Sequence, residues 1–304
     1  GLINKIAAGE VVERPASVVK ELMENSIDAG ATSITVEIAE GGTSVIKITD
    51  NGKGIPKDEI RTAFMRHATS KIDSFEDLEN VLTLGFRGEA LSSIASVAQV
   101  EMLTRTESDS MGTRIVINGG VVDREEECAA NVGTVFYVKN IFFNTPARRK
   151  FLKKPATEGS YISEIVNRIA LGHPNIAIKY INNGNIVLQT NGDGNVKNSL
   201  FYIYGKDIAS KMLNLESEKE GYILKGLVGK PELSRGNRNY ENFFINGRFI
   251  KSTLVQNAVE DAYKNKIMIG KFPIFALNLI VPSNTVDVNV HPTKLEVRFS
   301  DENF

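Results

Sequence analysis

The first clear run of hydrophobic residues in the chain repeats with the period of an α-helix. In PASVVKELMENSIDAG, the positions that share one side of such a helix are Val18, Val19, Leu22 and Met23. Pro15 stands where the first helical turn tolerates proline, and Gly30 stands where helices commonly end. The pattern therefore predicts a helix over residues 15–29 that packs its hydrophobic side into a core.

A strict alternation of hydrophobic and polar residues follows this helix. TSITVEIA and SVIKITD each place an aliphatic residue at every second position, and Gly41 and Gly42 lie between the two stretches. This pattern predicts a β-hairpin that brings Asp50 to the end of a strand. The next residues, NGKGIP, contain Gly52 and Gly54, which permit a close backbone approach or a positive φ.

Less regular repeats of the same two patterns, the helical one and the alternating one, predict the remaining helices and strands. The predicted helices cover residues 58–67, 157–171 and 253–264, with another that begins near residue 88. The predicted strands lie near residues 98–105, 113–118, 134–139, 176–189, 222–229, 241–246, 274–281, 286–290 and 295–299. The stretch TNGDGNVKN, residues 190–198, is the best linker candidate because it is rich in Gly, Asn and Asp. We therefore predict two domains, over residues 1–195 and 196–304.

The composition of the chain limits its number of domains and the kinds of binding site it can have. The chain has 304 residues, of which 42% are hydrophobic and 24% are charged, so it can build ordinary cores in two domains. Its formal net charge of −1 gives no overall attraction to nucleic acids or anionic membranes, so any polyanion site must be a local patch. The single cysteine, Cys128, excludes an internal disulfide and a multi-cysteine metal site, which suits a reducing cytoplasm.

No signal for a membrane or secretory segment is visible in the sequence. The longest hydrophobic run, FPIFALNLIVP, is interrupted by Asn278 and is shorter than the roughly 20 residues of a membrane helix. The chain begins at Gly1 without a methionine and stops at Phe304 directly after the strand-like LEVRF. We therefore expect it to be a fragment of a longer protein.

The polar side of the first helix is the first candidate for chemistry. Glu21, Asn25 and Asp28 are spaced i, i+4 and i+7 and share one stripe, separate from the hydrophobic side. An ordinary solvated face explains this stripe equally well at this point. The sequence has no GxxxxGK[ST], HExxH or GxSxG motif. Since its three histidines are scattered, a histidine metal cluster is not expected.

A second candidate is the stretch LGFRGEAL, residues 84–91, which places two glycines and an arginine just before a predicted helix. Free backbone N–H groups and the positive end of the helix dipole hold phosphate groups at such a position. The turn DNGKG, residues 50–54, is weak evidence alone, because glycines in turns are usually only turn residues. The helix stripe, this turn and the glycine-rich helix start occur in that order, and the ordered combination is much stronger evidence.

The ordered motifs ENSIDA, DNGKGI and GFRGEA, followed by a Gly-Thr pair at residues 133–134, resemble the ATPase superfamily of gyrase B, ninety-kilodalton heat-shock chaperones, histidine kinases and MutL. Within it, the chain resembles the bacterial MutL family of DNA mismatch repair proteins from one end to the other. The stretches that carry this resemblance are IAAGEVVERPASVVKEL, RHATSKI, LGFRGEALSSIASV, FFNTPARRKF, FINGR and VDVNVHPTKLEVRF.

The resemblance implies a fold. It implies an α+β protein whose first domain is a two-layer mixed-sheet ATPase domain with helices on one face. The second domain is expected to be a smaller ribosomal-protein-type α/β domain as in gyrase B, which supplies the γ-phosphate lysine and part of a DNA groove.

The resemblance also implies the ATP site. Glu21 corresponds to the general base that deprotonates the attacking water. Asn25 corresponds to a ligand of Mg²⁺, which prefers oxygen donors. Asp50 corresponds to the carboxylate that accepts a hydrogen bond from the adenine amine. Lys294, in HPTK, corresponds to a catalytic contact to the γ-phosphate. The other residues expected to bind ATP, most of them in a lid over the phosphates, are Gly54, Lys71, Gly85, Phe86, Arg87, Gly88, Ala90, Leu91 and Thr134.

DNA is the other ligand that the resemblance implies. Arg248, in NGR, corresponds to an arginine of the family's DNA groove. The stretch PARRKFLKK adds Arg148 and Arg149 as candidates for phosphate contacts without base readout. A solvated basic face remains the alternative for this second cluster, because most charge runs are no more than that.

The implied function is that of a mismatch repair mediator. ATP binding with Mg²⁺ and slow hydrolysis are expected to drive homodimerisation and the engagement of DNA, of mismatch-recognition proteins and of downstream repair proteins. A bacterial cytoplasmic location, at the nucleoid during repair, is expected, and no membrane partner. An ATP-gated scaffold without turnover and another member of the same superfamily are the alternatives. A histidine kinase fits poorly because His67 is a poor phosphoacceptor candidate.

Overall fold

The computed structural model describes residues 12–65, 87–281, 286–288 and 297–299. These residues form two compact units. The first takes in the residues up to Val166 together with Ile176–Gln189, and the second takes in Asn167–Asn175 and the residues from Thr190 onward. The functions assigned above to residues 1–195 and 196–304 stay predictions.

The first unit is built on an eight-stranded mixed sheet. Its strands are β1 Ser33–Ala39, β2 Val45–Asp50, β3 Gln99–Arg105, β4 Gly112–Asn118, β5 Val121–Cys128, β6 Gly133–Lys139, β7 Ala177–Asn182 and β8 Asn185–Gln189. They lie in the order β5-β4-β3-β6-β2-β1-β7-β8. Neighbours are antiparallel except β1 and β7, which are parallel. The helices of this unit are α1 Pro15–Asp28, α2 Ile60–Ala63, α3 Arg87–Val97, α4 Pro146–Phe151 and α5 Pro155–Gly172, the last of which continues into the second unit.

Alternation along the strands explains where the core of this unit lies. Successive side chains of a strand point to opposite faces, so every second residue shares one face. In β1 that face carries Ile34, Val36 and Ile38, each at most 3% exposed, whereas the residues between them are exposed or half-buried. The predicted hairpin of β1 and β2 is confirmed, with Ile48 opposite Val36.

The second unit contains a five-stranded sheet, β12-β11-β13-β10-β9, in which β11 and β13 are parallel. Its strands are β9 Met212–Lys219, β10 Tyr222–Gly229, β11 Glu241–Ile245, β12 Arg248–Phe249 and β13 Phe275–Ile280. Its further helices are α6 Val196–Tyr204, α7 Lys206–Ser210 and α8 Thr253–Ala262. A short pair, β14 Val286–Val288 and β15 Val297–Phe299, is antiparallel. All five residues of β11 are buried, and the adjacent Phe243 and Phe244 belong to separate hydrophobic clusters because they point to opposite faces.

The mixed α+β architecture is confirmed, but several local predictions were wrong. Within the described residues up to 65, the helix expected over residues 58–67 is a 3₁₀ turn, Lys57–Glu59, followed by the short α2; residues 66 and 67 lie outside the described residues. The last residues of the expected linker begin a helix, because the Asn195 side chain accepts hydrogen bonds from two backbone N–H groups and caps α6. Strands β5, β9 and β12 and helices α4, α6 and α7 were not predicted. In the part of the chain that the structure describes, no helix is long and apolar enough to span a membrane.

Glu241 is an acidic residue in the core of the second unit, which is an unusual position for a carboxyl group. It is 3% exposed, and neither carboxylate oxygen accepts a hydrogen bond. Arg238 Nε lies 3.8 Å from Glu241 Oε2 but only 2.7 Å from Glu260 Oε1. The pKa of Glu241 is raised to about 8, mainly by burial and also by the nearby Glu260, while Arg238 opposes the shift. Glu241 is therefore mostly protonated in the folded protein at neutral pH.

This raised pKa predicts a pH-dependent stability. The folded protein keeps a proton on Glu241 that the unfolded chain loses above its ordinary carboxyl pKa. The free energy of unfolding therefore falls as pH rises from about 4.5 to about 8. We expect Glu241→Gln to raise the melting temperature at pH 8.5 by at least about 3 °C and to change it little at pH 4.5. Thermal melts of wild type, Glu241→Gln and the exposed control Glu232→Gln measure this effect. An equal change at both pH values would contradict the assignment.

Candidate functional site

The polar stripe of helix α1 becomes more exposed to solvent from its first residue to its last. Glu21 is buried, Asn25 is half-buried and Asp28 is exposed. Acidic side chains are almost never buried unless they have partners. The burial of Glu21 therefore disfavours the alternative of an ordinary solvated face, at least at the N-terminal end of the stripe.

Asp50 lies at the end of β2, where two donors hold its carboxylate. The Ser26 hydroxyl donates to Asp50 Oδ2 at 2.6 Å, and the backbone N–H of Gly52 donates to Asp50 Oδ1 at 2.9 Å. Ser26 is 3% exposed and Asp50 is half-buried. Each carboxylate oxygen has two lone pairs, so each keeps one for a further donor. The arrangement presents a fixed hydrogen-bond acceptor at the end of the strand.

Two glycines allow the backbone to close tightly around Asp50. Gly54 has a φ of +72°, and a Cβ atom added there would lie 2.1 Å from the carbonyl oxygen of Arg105. Gly133 has a φ of +125°, and a Cβ atom there would lie 2.2 Å from the carbonyl oxygen of Asp50. Both positions require the left-handed region and leave no room for a side chain. The close backbone approach and the positive φ that the sequence permits at Gly54 are therefore both present in the structure.

A buried hydroxyl connects the same segments. Thr104 is 1% exposed, and its hydroxyl oxygen accepts the backbone N–H of Ile55 at 2.9 Å. That oxygen also lies 3.0 Å from the hydroxyl of the predicted site residue Thr134 and 3.2 Å from the carbonyl oxygen of Gly133. Thr134 is directly opposite Asp50 in the ladder of β2 and β6. The structure therefore brings Asp50, Gly54 and Thr134 together, through a threonine that sequence reasoning did not single out.

The loop after Asp50 is also anchored to the start of β1. The Asn51 side-chain oxygen accepts the backbone N–H groups of Thr32 and Ser33, both at 2.9 Å, and its amide nitrogen donates to the Thr32 hydroxyl. The backbone N–H of Lys53 also donates to the carbonyl of Ala29 at the end of α1. These bonds fix the position of α1 relative to Asp50.

Of the predicted phosphate-binding residues, helix α3 contains four. Arg87 and Gly88 form its first turn, and Ala90 and Leu91 are buried in the core, at 0% and 8% exposure. The two buried side chains therefore pack the helix, and any ligand contact from them must come through the backbone. The predicted residues Lys71, Gly85, Phe86 and Lys294 lie outside the described residues.

The polar groups of α1 suit a metal held mainly by phosphate and water. No group of three or more His, Cys, Asp or Glu side chains that could hold a metal ion occurs among the residues that the structure describes. A half-buried amide such as Asn25 supplies one oxygen donor without a further negative charge. Mg²⁺ in phosphate sites usually takes one or two protein ligands and fills its octahedron with water and phosphate oxygens. The donor set therefore fits Mg²⁺ bound together with a nucleotide.

The three arginines predicted to bind DNA differ in how accessible their side chains are. Arg148 is half-buried, donates to the carbonyl of Val12 at 3.1 Å, and lies over the ring of Phe142. Arg149 is exposed on the same short helix α4. Arg248, in the second unit, is half-buried on β12. The intramolecular contacts of Arg148 make Arg149 the more accessible of the two α4 candidates, and the DNA-binding role of all three stays a prediction.

Two stretches of the chain match known protein families. Residues 13–132 match a family model described as histidine kinase-, DNA gyrase B- and HSP90-like ATPase. Residues 200–304 match a model described as DNA mismatch repair protein, C-terminal domain. The DNA mismatch repair protein MutL of Agathobacter rectalis is 56% identical over 301 residues, which are 99% of this chain. This chain belongs to the MutL family. MutL of Clostridium acetobutylicum is 52% identical over 299 residues, which are 98% of the chain.

Solved structures agree with this membership. The Aquifex aeolicus MutL ATPase domain complexed with ADP has a TM-score of 0.67 and 28% identity, over 90% of this chain and 93% of that one. The N-terminal domain of a DNA repair protein has a TM-score of 0.79 over 99% of this chain and 92% of that one, at 24% identity, and shows the fold alone. The chain covers 46% and 48% of the two MutL relatives named above, so it spans about half their length.

Proposed function

We propose that this chain is the ATP-binding and ATP-hydrolysing region of a DNA mismatch repair mediator. The observation that carries the proposal is the fixed acceptor at Asp50, held by Ser26 and Gly52 beside the glycines and threonines that line the same loop. A carboxylate that can only accept hydrogen bonds favours adenine, which has an exocyclic amine, over guanine at that position. The MutL ATPase domain of Aquifex aeolicus, whose structure contains ADP, supports nucleotide as the ligand.

Helix α1 supplies the groups for hydrolysis in this proposal. Glu21 lies one turn before Asn25 on the same stripe, so a base and a metal-binding amide point in similar directions. Glu21 orients the attacking water and accepts its proton. Asn25 would supply one oxygen ligand to Mg²⁺, which would neutralise charge on the phosphates when bound. Lys294 stays the predicted γ-phosphate contact from outside the described residues.

An Asp50→Asn substitution tests the adenine assignment. We expect at least about 10-fold weaker binding of ADP, because an amide nitrogen replaces one acceptor oxygen and hydrogen bonds to charged groups contribute about 1.5–3 kcal/mol. Calorimetric titration with ADP measures this loss, and the exposed Asp58→Asn variant is the control for a lost carboxylate. The adenine assignment fails if Asp50→Asn binds ADP as tightly as wild type.

We also propose the further parts of the family's mechanism. ATP drives dimerisation of this region and its engagement of repair partners, in the bacterial cytoplasm at the nucleoid. The second unit is proposed to be the ribosomal-protein-type domain of gyrase B, and its mixed five-stranded sheet with helices is compatible with that. DNA binding is proposed at Arg248, with Arg149 and Arg148 as further phosphate contacts.

The DNA proposal predicts salt-sensitive binding without sequence preference. Each phosphate contact contributes about −0.9 to the slope of log affinity against log salt concentration. We expect Arg248→Glu to weaken binding and to reduce the magnitude of this slope by about 1. Fluorescence anisotropy with labelled DNA at several salt concentrations measures both quantities. Lys197→Glu, an exposed charge reversal in the same unit, is the matched control. A salt-independent affinity, or equal effects of the two reversals, would contradict the groove.

A further inference from the structure

Ser26 lies among the buried residues of α1, where a hydroxyl is unusual. Its neighbours on that side of the helix are Val19, Leu22 and Met23, each at most 3% exposed. A serine inside a helix commonly donates to the carbonyl four residues earlier, and Ser26 Oγ lies 3.1 Å from the Leu22 carbonyl oxygen. A second acceptor, Asp50 Oδ2, is closer at 2.6 Å.

The shorter contact decides where the single hydroxyl proton goes. Hydrogen bonds from a hydroxyl to a carboxylate have lengths of about 2.5–2.7 Å and are roughly twice as strong as neutral ones. The Ser26–Asp50 distance falls in this range, whereas the Ser26–Leu22 distance is that of a weaker contact. Ser26 therefore donates to Asp50, across 24 residues of sequence and from helix to strand.

We propose that Ser26 is a positioning residue that sets the purine specificity of the site by orienting the Asp50 carboxylate. This inference rests on the proposed role of Asp50 in adenine binding. Gly52 N–H holds Oδ1 from the loop side and Ser26 holds Oδ2 from the helix side, so two bonds on different oxygens fix the plane of the carboxylate. Without Ser26, the carboxylate keeps only the Gly52 bond and rotates about its side-chain torsions.

A purine comparison separates this role from a purely structural one. Inosine diphosphate has the phosphates and ribose of ADP but carries a carbonyl oxygen where adenine carries its amine. Loss of carboxylate orientation weakens ADP binding, but it removes no hydrogen bond at the 6-position of inosine, where a carbonyl oxygen cannot donate. We expect Ser26→Ala to lower the preference for ADP over inosine diphosphate on the order of 10-fold, the worth of one hydrogen bond to a charged group. A general structural defect weakens both nucleotides equally.

Calorimetric titrations of the whole 304-residue chain with each nucleotide give the preference directly. Ser96→Ala is the matched control, because Ser96 is also buried in a helix of the first unit and donates only to its own helix, to the Ser93 carbonyl at 2.7 Å. Its preference should equal that of wild type. Ser26→Cys is nearly isosteric with the wild type, but its thiol is only a weak hydrogen-bond donor, so this variant should lose the preference as well. It replaces Ser26→Ala in the test if that variant does not fold.

The outcomes distinguish this inference from the proposal on which it rests. If Asp50→Asn abolishes the preference but both Ser26 variants keep it, Ser26 has no positioning role and Asp50 still binds adenine. If Asp50→Asn leaves the preference unchanged, the adenine assignment itself is wrong, and the inference falls with it. Loss of the preference in Asp50→Asn and the Ser26 variants, with Ser96→Ala unchanged, supports both.

Discussion

Replacement of Glu21 by alanine is expected to lower ATP turnover by about 10² to 10⁴, the usual contribution of a positioned general base. Nucleotide affinity should change little, because Asp50 and its loop recognise the base at the other end of the nucleotide. Steady-state phosphate release, measured beside calorimetric binding of a non-hydrolysable ATP analogue, separates the two quantities.

The same helix offers a control for this substitution. Glu24 lies three residues further along α1 and is half-buried, but it is not one of the residues predicted to contact ATP or Mg²⁺. Glu24→Ala should therefore retain turnover within a few-fold of wild type. A parallel loss of binding and rate in Glu21→Ala would show that Glu21 holds the site together and is not its base.

Replacement of Gly54 by alanine is expected to have the second large effect, on binding and on stability together. The added Cβ atom would lie 2.1 Å from the Arg105 carbonyl oxygen, so the loop after Asp50 must move away from β3. We expect at least about 3 kcal/mol of destabilisation, because a forced left-handed φ and a backbone clash add. ADP binding should fall below detection, because Ile55 loses its bond to Thr104.

Gly30 provides the comparison that isolates the clash. It has a similar φ of +75°, but a Cβ atom added there meets nothing within 4 Å. Gly30→Ala should therefore cost only the conformational strain, about 1–2 kcal/mol. Denaturant unfolding of both variants gives the difference. Equal destabilisation by the two substitutions would mean that the close approach of the loop to β3 does not matter.

Much of the first unit could be predicted from local patterns. The boundaries of α1 follow from Pro15 and Gly30, and the hairpin of β1 and β2 follows from simple alternation. Strand β5 could not be predicted this way, because its sequence VVDREEEC is rich in acids that disfavour a strand. Its acids pair with cations from elsewhere, as Glu126 does with Arg114 of β4. Such pairings are invisible in the sequence of β5 alone.

In the candidate site, too, features within one element could be predicted, whereas contacts between elements could not. The stripe of Glu21 and Asn25 can be read from the spacing within one helix, and Asp50 can be read from its place after a strand. The same spacing places Ser26 on the hydrophobic side of α1, where it is buried, but it cannot show that the partner of Ser26 lies on β2. Thr104 escaped notice because its role depends on the pairing of β3 with β6.

A crystal structure of this chain with Mg²⁺ and a non-hydrolysable ATP analogue would test whether Asp50 and α1 form the nucleotide site. We expect the adenine amine within about 3 Å of the Asp50 carboxylate. We also expect the Asn25 oxygen on the metal and Glu21 facing the terminal phosphate. A purine bound away from Asp50, or phosphates far from α1, would contradict this assignment.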